Sequence, residues 1–128
     1  ENLIATGEVQ QYDLAKLTDG SVGEGEQVKP VNVLNAAATA FKVSGLECSE
    51  DGSAVYVSGV VIGGTKTKPL VRGGKLLKWE TATQKFAADI ATDSPVWALA
   101  LSADGKKVVA LERSMDAARP AGNLIVVD

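Results

Sequence analysis

Apolar and polar residues alternate with a period of two along most of the chain after residue 40, and clusters of turn residues interrupt the alternation. The pattern predicts strands over 41–48, 54–61, 74–80, 85–90, 95–101, 106–112 and 122–128. The alanine-rich stretch 35–40 and residues 115–119 are too short to form stable helices alone. The sequence therefore predicts an all-β, antiparallel fold.

A repeat organises these strands. Ser49-Glu50-Asp51-Gly52 and Ser102-Ala103-Asp104-Gly105 lie 53 residues apart (104 − 51), and each joins two predicted strands. Asp-Gly is a strong signal for a tight hairpin turn, because glycine accepts the positive φ that such turns require. We expect Asp51, Gly52, Asp104 and Gly105 to form two equivalent turns.

A second repeated position lies at the end of the third strand of each unit. Tyr12-Asp13, Trp79-Glu80 and Val127-Asp128 align there, each an aromatic or apolar residue followed by an acid. The pattern resembles the Trp-Asp dipeptide of WD-repeat propellers, whose repeats span about 40–45 residues. The resemblance implies antiparallel β-propeller blades of four strands.

Three units divide the chain under this interpretation. Residues 1–34 form a partial blade plus a loop, 35–93 a complete blade and 94–128 a partial blade, all within one propeller domain or a fragment of it. A propeller ring closes with about four to eight blades, so the ring would be incomplete. We expect a segment of a larger propeller. The alternatives are assembly of several chains into a ring and a small β-sheet domain of another class.

The composition argues against chemistry carried by this chain. It contains no histidine and a single cysteine, so the usual residues of acid–base catalysis and zinc binding are missing. We expect no catalytic residue, no cofactor and no metal site. Cys48 is interpreted as a small buried hydrophobe. No apolar run would span a membrane, and the lone thiol favours a soluble, cytoplasmic protein.

Cationic residues cluster in one part of the sequence. They are Lys66, Lys68, Arg72, Lys75 and Lys78. Such a cluster could bind an acidic protein surface such as tubulin; alternatively, it is a solvated edge strand whose lysines discourage pairing. The net charge is −3 and no aromatic residues interleave with the lysines, so nucleic acid is not the expected partner.

Two classes of function remain. The first is a non-catalytic propeller scaffold that binds other protein chains or the remaining propeller blades. The second is a section of a propeller enzyme, a dehydrogenase or a lactonase-like hydrolase, with its active-site residues in other blades. In both cases Trp79 and Trp97 are expected to pack between blades.

Overall fold

A computed structural model of the chain describes residues 10–11, 31–32, 41–65, 67–116, 118 and 121–128. These residues form three antiparallel sheets. The smallest pairs β1 (Gln10–Gln11) with β2 (Val31–Asn32). The four-stranded sheet has the order β3 (Phe41–Cys48), β4 (Ala54–Thr65), β5 (Lys68–Glu80) and β6 (Lys85–Thr92). The three-stranded sheet has the order β7 (Val96–Leu101), β8 (Val108–Arg113) and β9 (Gly122–Val127).

The prediction of an all-β antiparallel fold is confirmed for the described residues, which contain no helix and therefore no helix that could cross a membrane. Strand β6 begins at Lys85, as the sequence predicts, and extends to Thr92. The largest departure is the hairpin of β4 and β5. It continues to the pair Thr65 and Lys68, well beyond the predicted end of the second strand at residue 61.

Alternation divides the four-stranded sheet into two faces. One carries a buried apolar cluster of Phe41, Val57, Leu77 and Trp79, with Phe86 packed against it. The rings of Trp79 and Phe86 meet edge to face, with centroids 5.1 Å apart and an interplanar angle of 73°. This geometry is the one that aromatic quadrupoles favour.

The opposite face of the four-stranded sheet holds the three-stranded sheet. Strand β7 lies against β3, β4 and β5. Its residue Val96 is fully buried and packs with Leu76 of β5 and with Val108 and Ala110 of β8. The burial of these side chains between the two sheets joins them through an apolar core.

Two glycines allow this close approach. A Cβ atom built on Gly45 would lie 2.8 Å from the Ser58 Oγ and 3.3 Å from Leu99 of β7. One built on Gly74 would lie 2.6 Å from the carbonyl oxygen of Ser94 and 2.6 Å from the amide nitrogen of Val96. The absence of a side chain at both positions therefore lets β7 and the segment before it reach the sheet surface.

Polar side chains also stabilise this contact between the two sheets. Ser44 donates a hydrogen bond from its hydroxyl to the Val96 carbonyl. The buried Glu112 side chain accepts one bond from the Ser94 amide at 2.9 Å and another from the Asn123 side chain at 3.2 Å. Since both carboxylate oxygens have partners, this acid stabilises the segment that leads from β6 to β7.

We predict that Gly74→Ala destabilises the protein by about 2 kcal/mol, because the new methyl group overlaps backbone atoms that cannot rotate away. Urea unfolding measures the change. Gly122→Ala is the matched control, since its nearest neighbour would be the Glu112 carbonyl oxygen at 3.6 Å. Its expected effect is within about 0.5 kcal/mol of zero. Equal losses in the two variants would contradict the role given to Gly74.

Candidate interaction surface

The two Ser-x-Asp-Gly turns have the same internal structure. In the first, the Ser49 amide donates to the Ala54 carbonyl at 2.9 Å; in the second, the Ser102 amide donates to the Lys107 carbonyl at 2.8 Å. Gly52 and Gly105 have φ angles of 69° and 68°, which favour glycine at these sites. The repeated sequence thus forms two hairpin turns with matching backbone hydrogen bonds.

In each turn, the aspartate carboxylate also accepts hydrogen bonds from neighbouring residues of the same turn. The Asp51 carboxylate accepts bonds from the Ser53 amide at 3.0 Å and the Ser49 hydroxyl at 2.7 Å. These bonds, with a further one from the Ser53 hydroxyl, lower the pKa of Asp51 from 3.8 to about 2. The Ser102 hydroxyl and the Lys106 amide lower the pKa of Asp104 in the same way. Both aspartates therefore shape their turns as anions.

The two turns border one shallow cleft of about 560 Å³ at the same end of both sheets. Its acidic lining residues are Glu50, Asp51, Glu80 and Asp104, and Lys78 lies among them. The described residues contain no group of three His, Cys, Asp or Glu side chains that could hold a metal ion. The described part of the cleft thus carries charged side chains without a group of this kind that could hold a metal ion.

The cationic residues of the sequence cluster do not form one continuous patch. Lys75 pairs with Asp89 across neighbouring strands at 2.7 Å. The Lys78 ammonium lies over the ring of Tyr56 on the other face, 5.8 Å from its centroid. Lys68 and Arg72 lie in the extended part of the β4–β5 hairpin. Lys66 lies outside the described residues.

The three-stranded sheet carries an apolar surface on the side away from the four-stranded sheet, and no other sheet in the described part of the chain covers it. We call it the open face. Its apolar members are paired across the strands, and Arg113 of β8 lies at one end of the same face; the apolar members are Ala98, Ala100, Val109, Leu111, Leu124 and Val126. Leu124 is 72% exposed and Val126 is 58% exposed. Contiguous apolar surface of this kind commonly marks an interaction site.

When the two repeats are aligned, the open face of the three-stranded sheet corresponds to the face of the four-stranded sheet that contacts β7. Both sheets have a bulge in their first strand, between Val43 and Gly45 in β3 and between Val96 and Ala98 in β7. At the repeat spacing of 53 residues, Ala98 corresponds to Gly45. Gly45 closely approaches β7, whereas Ala98 has no neighbouring sheet among the described residues.

Two predictions about individual side chains are wrong. Cys48 is exposed rather than buried, because it is the last residue of an edge strand that none of the other described strands covers. Trp97 does not pack between the two sheets; it lies at the bulge of β7 and is 41% exposed. Trp79 is buried, but in the cluster on the face of the four-stranded sheet away from β7, so its packing between blades stays a prediction. Tyr12 and Asp13 lie outside the described residues.

Sequence reasoning missed the residues that join the sheets. Ser44, Gly45, Gly74 and Glu112 carry no motif, although glycine within a strand signals a bulge or a close backbone approach. Glu112 resembles any polar strand residue in the sequence, and only the contacts of its two oxygens reveal its role.

Comparisons with known proteins do not assign the chain to a family. No protein-family model matches the sequence, and no curated protein matches it significantly.

We predict that Ser49→Ala raises the pKa of Asp51 from about 2 toward 3.8, and that Ser102→Ala raises the pKa of Asp104. Because the folded-state pKa values are depressed, the ionised carboxylates stabilise the turns above the ordinary pKa, and this stabilisation is lost as the pH falls through the folded-state values. NMR titration of the carboxyl carbons measures both. Ser114→Ala, which removes a hydroxyl away from both turns, is the control, and unchanged midpoints in the turn variants would refute the assignment.

Proposed function

We propose that this chain is a section of a non-catalytic β-propeller scaffold that binds other protein surfaces. In this proposal the four-stranded sheet is a complete blade, and the three-stranded sheet is a partial blade of the WD-repeat type. The described strands constitute too few blades for a ring, since about four to eight are needed. The missing neighbours are other propeller blades or other protein chains.

The open face is the observation that carries this proposal. It is apolar across three strands, and its counterpart on the four-stranded sheet already packs against a sheet. The exposed Leu124 and Val126 stand at the repeat positions of Leu76, which is buried, and Lys78, which is half-buried. A further sheet packed in the same manner would remove the apolar side chains from water, which is favourable in proportion to the area covered.

The charged regions suit a scaffold better than an active site. Lys68 and Arg72 are both exposed on the extended hairpin and are available to an acidic protein surface. Asp51 and Asp104 are engaged by their own turns. A protein that acts through contact surfaces needs no activated side chain, consistent with a chain that has no histidine.

Carbene footprinting of the native particle tests the proposal, with the urea-unfolded chain as the reference for full labelling. We expect Leu124 and Val126 to be labelled several-fold less in the native particle than after unfolding, because a neighbouring sheet excludes the reagent. Ala103, an exposed turn residue, is the internal control and should stay accessible. If Leu124 is labelled as strongly as Ala103 in the native particle, the open face has no partner and the scaffold proposal fails.

A further inference from the structure

The hairpin of β4 and β5 projects beyond the rest of its sheet. Strand β3 pairs with β4 only as far as Val61, and β6 pairs with β5 only from Gly74. Residues 62–65 of β4 and 68–72 of β5 therefore have no further strand beside them in the described part of the chain. We call these residues the arm. Four residue pairs of the antiparallel ladder hold it together.

One face of the arm carries two cations with an apolar residue between them. Lys68, Leu70 and Arg72 are alternate residues of β5, and all three are exposed, Leu70 by 49%. Gly63, the partner of Leu70 in β4, shows the direction of Arg72: a Cβ atom built on it would lie 3.1 Å from the Arg72 Cγ and 3.0 Å from the Nε. We call Lys68, Leu70 and Arg72 the cationic stripe.

The cations of the stripe have no counter-ion among the described residues. The ion pairs in that part of the chain join Lys75 to Asp89 and Lys107 to Asp128. The arm itself contains no aspartate or glutamate. Positive charge without a counter-ion on a projecting element attracts anionic groups within about a Debye length, which is roughly 8–10 Å. The stripe is therefore complementary to an acidic partner.

Protection of a sheet edge explains only part of this pattern. Lysine and proline discourage pairing of an edge strand with another chain, and β5 has Lys68 and Pro69 in the arm. Proline has no N–H to donate, so a strand added along this edge would lack a hydrogen bond there. Edge protection does not, however, require an exposed leucine between two cations. The contact that Leu70 offers lies on the face of the arm.

We propose that the cationic stripe binds an extended acidic segment of a partner protein, in which two carboxylates four residues apart pair with Lys68 and Arg72 and an apolar side chain midway between them contacts Leu70. Alternate residues of a strand are about 6.5–7 Å apart, so partner residues at i, i+2 and i+4 match the stripe. The inference rests on the proposed function, because it assumes that the chain acts through contact surfaces. It requires neither the open face nor a ring of blades.

A polypeptide suits the stripe better than a nucleic acid. A uniformly charged backbone would offer no apolar group to Leu70, and the described arm has no aromatic residue on which a base could stack. The Arg72 guanidinium can bind a carboxylate with two parallel hydrogen bonds. Its stem already lies in the space that Gly63 leaves, so less side-chain freedom is lost on binding.

A second copy of this chain fits the stripe less well than a separate partner. Among the described residues, one stretch has acids four residues apart around an apolar residue: Asp89, Ala91 and Asp93. Asp89 already pairs with Lys75 in its own sheet, so its binding to another copy would break one ion pair to form a second. We therefore assign the stripe to another polypeptide.

The test uses the full chain and the fluorescent peptide Gly-Thr-Glu-Thr-Leu-Thr-Glu-Thr-Gly. The control peptide, Gly-Thr-Thr-Glu-Glu-Leu-Thr-Thr-Gly, has the same composition but places its two carboxylates on opposite faces when it is extended. Fluorescence polarisation at low salt should show saturable binding of the first peptide and at least about fivefold weaker binding of the control. Absence of saturable binding up to about 1 mM, or equal binding of the two peptides, would overturn the proposal.

Reversal of the charges tests the ion pairs. The double variant Lys68→Glu with Arg72→Glu should lose binding of the Glu peptide and should bind a peptide with Lys in place of both Glu residues. The control double variant, Lys85→Glu with Lys106→Glu, changes the net charge equally at exposed sites outside the arm and should alter binding by less than about twofold. Equal losses in the two double variants would show that net charge controls binding and would contradict the proposal.

Substitution of two neighbouring residues tests the apolar contact. Leu70→Ser should weaken binding by at least about fivefold, because it removes the side chain between the two cations. Val71→Ser, at a residue that is 38% exposed on the opposite face of the arm, should change binding by less than about twofold. Equal effects would contradict the assignment of binding to the stripe.

Amide chemical shifts of the unmodified chain identify the occupant without dependence on the folding of any variant. The Glu peptide should shift the amides of residues 68 and 70–72, and shifts confined to other residues would overturn the proposal. Equal shifts with a single-stranded oligonucleotide would assign the stripe to nucleic acid, and shifts that grow with chain concentration alone would assign it to a second copy; both results overturn it. Footprinting of Leu124 and Val126 in the native particle reports on the open face separately, so failure of one proposal is distinguishable from failure of the other.

Discussion

The contact of β7 with the four-stranded sheet is the interaction on which the rest of the structure depends. Val96 is fully buried there, and its carbonyl accepts a hydrogen bond from Ser44. The contact requires bare backbone at Gly45 and Gly74, because a side chain at either position would meet atoms of β7 or of the segment before it. Apolar burial supplies the attraction, while the glycines and the Ser44 bond fix the distance and register. Without this contact the four-stranded and the three-stranded sheets would have no common core.

The two sheets repeat the same structural features, and the difference between them bears on function. The bulges in β3 and β7 and the two Ser-x-Asp-Gly turns recur with the same spacing, so the two sheets are versions of one unit. In the part of the chain that the structure describes, a second sheet covers one face of the four-stranded sheet, whereas no sheet covers the corresponding face of the three-stranded sheet. The side chains on the two faces differ: Ser58, half-buried Tyr56 and Lys78 on the covered face give way to Leu111, Val109 and Val126 on the open face. At these three positions the open face is the more apolar of the two, so covering them would remove more apolar surface from water.

The sequence predicted the strands and turns well, because period-two alternation and Asp-Gly pairs are local signals. Trp79 could be placed in a core from its repeat position. Cys48 and Trp97 could not be placed correctly, since their exposure depends on where a sheet ends and on which sheets are neighbours, and both are long-range properties. The same limit applies to the cationic cluster: Lys75 and Lys78 are close in sequence but face opposite sides of β5.

The central claim is that this two-sheet unit is incomplete without further protein surface against its second sheet. Light scattering of the native particle, with mass-spectrometric identification of every polypeptide in it, tests this claim most directly. The account predicts a particle well above 13.2 kDa in which the chain is accompanied by further β-sheet protein, either in the same polypeptide or in another. A stable particle of 13.2 kDa that contains this chain alone would contradict the account and would indicate a small autonomous β-sheet domain.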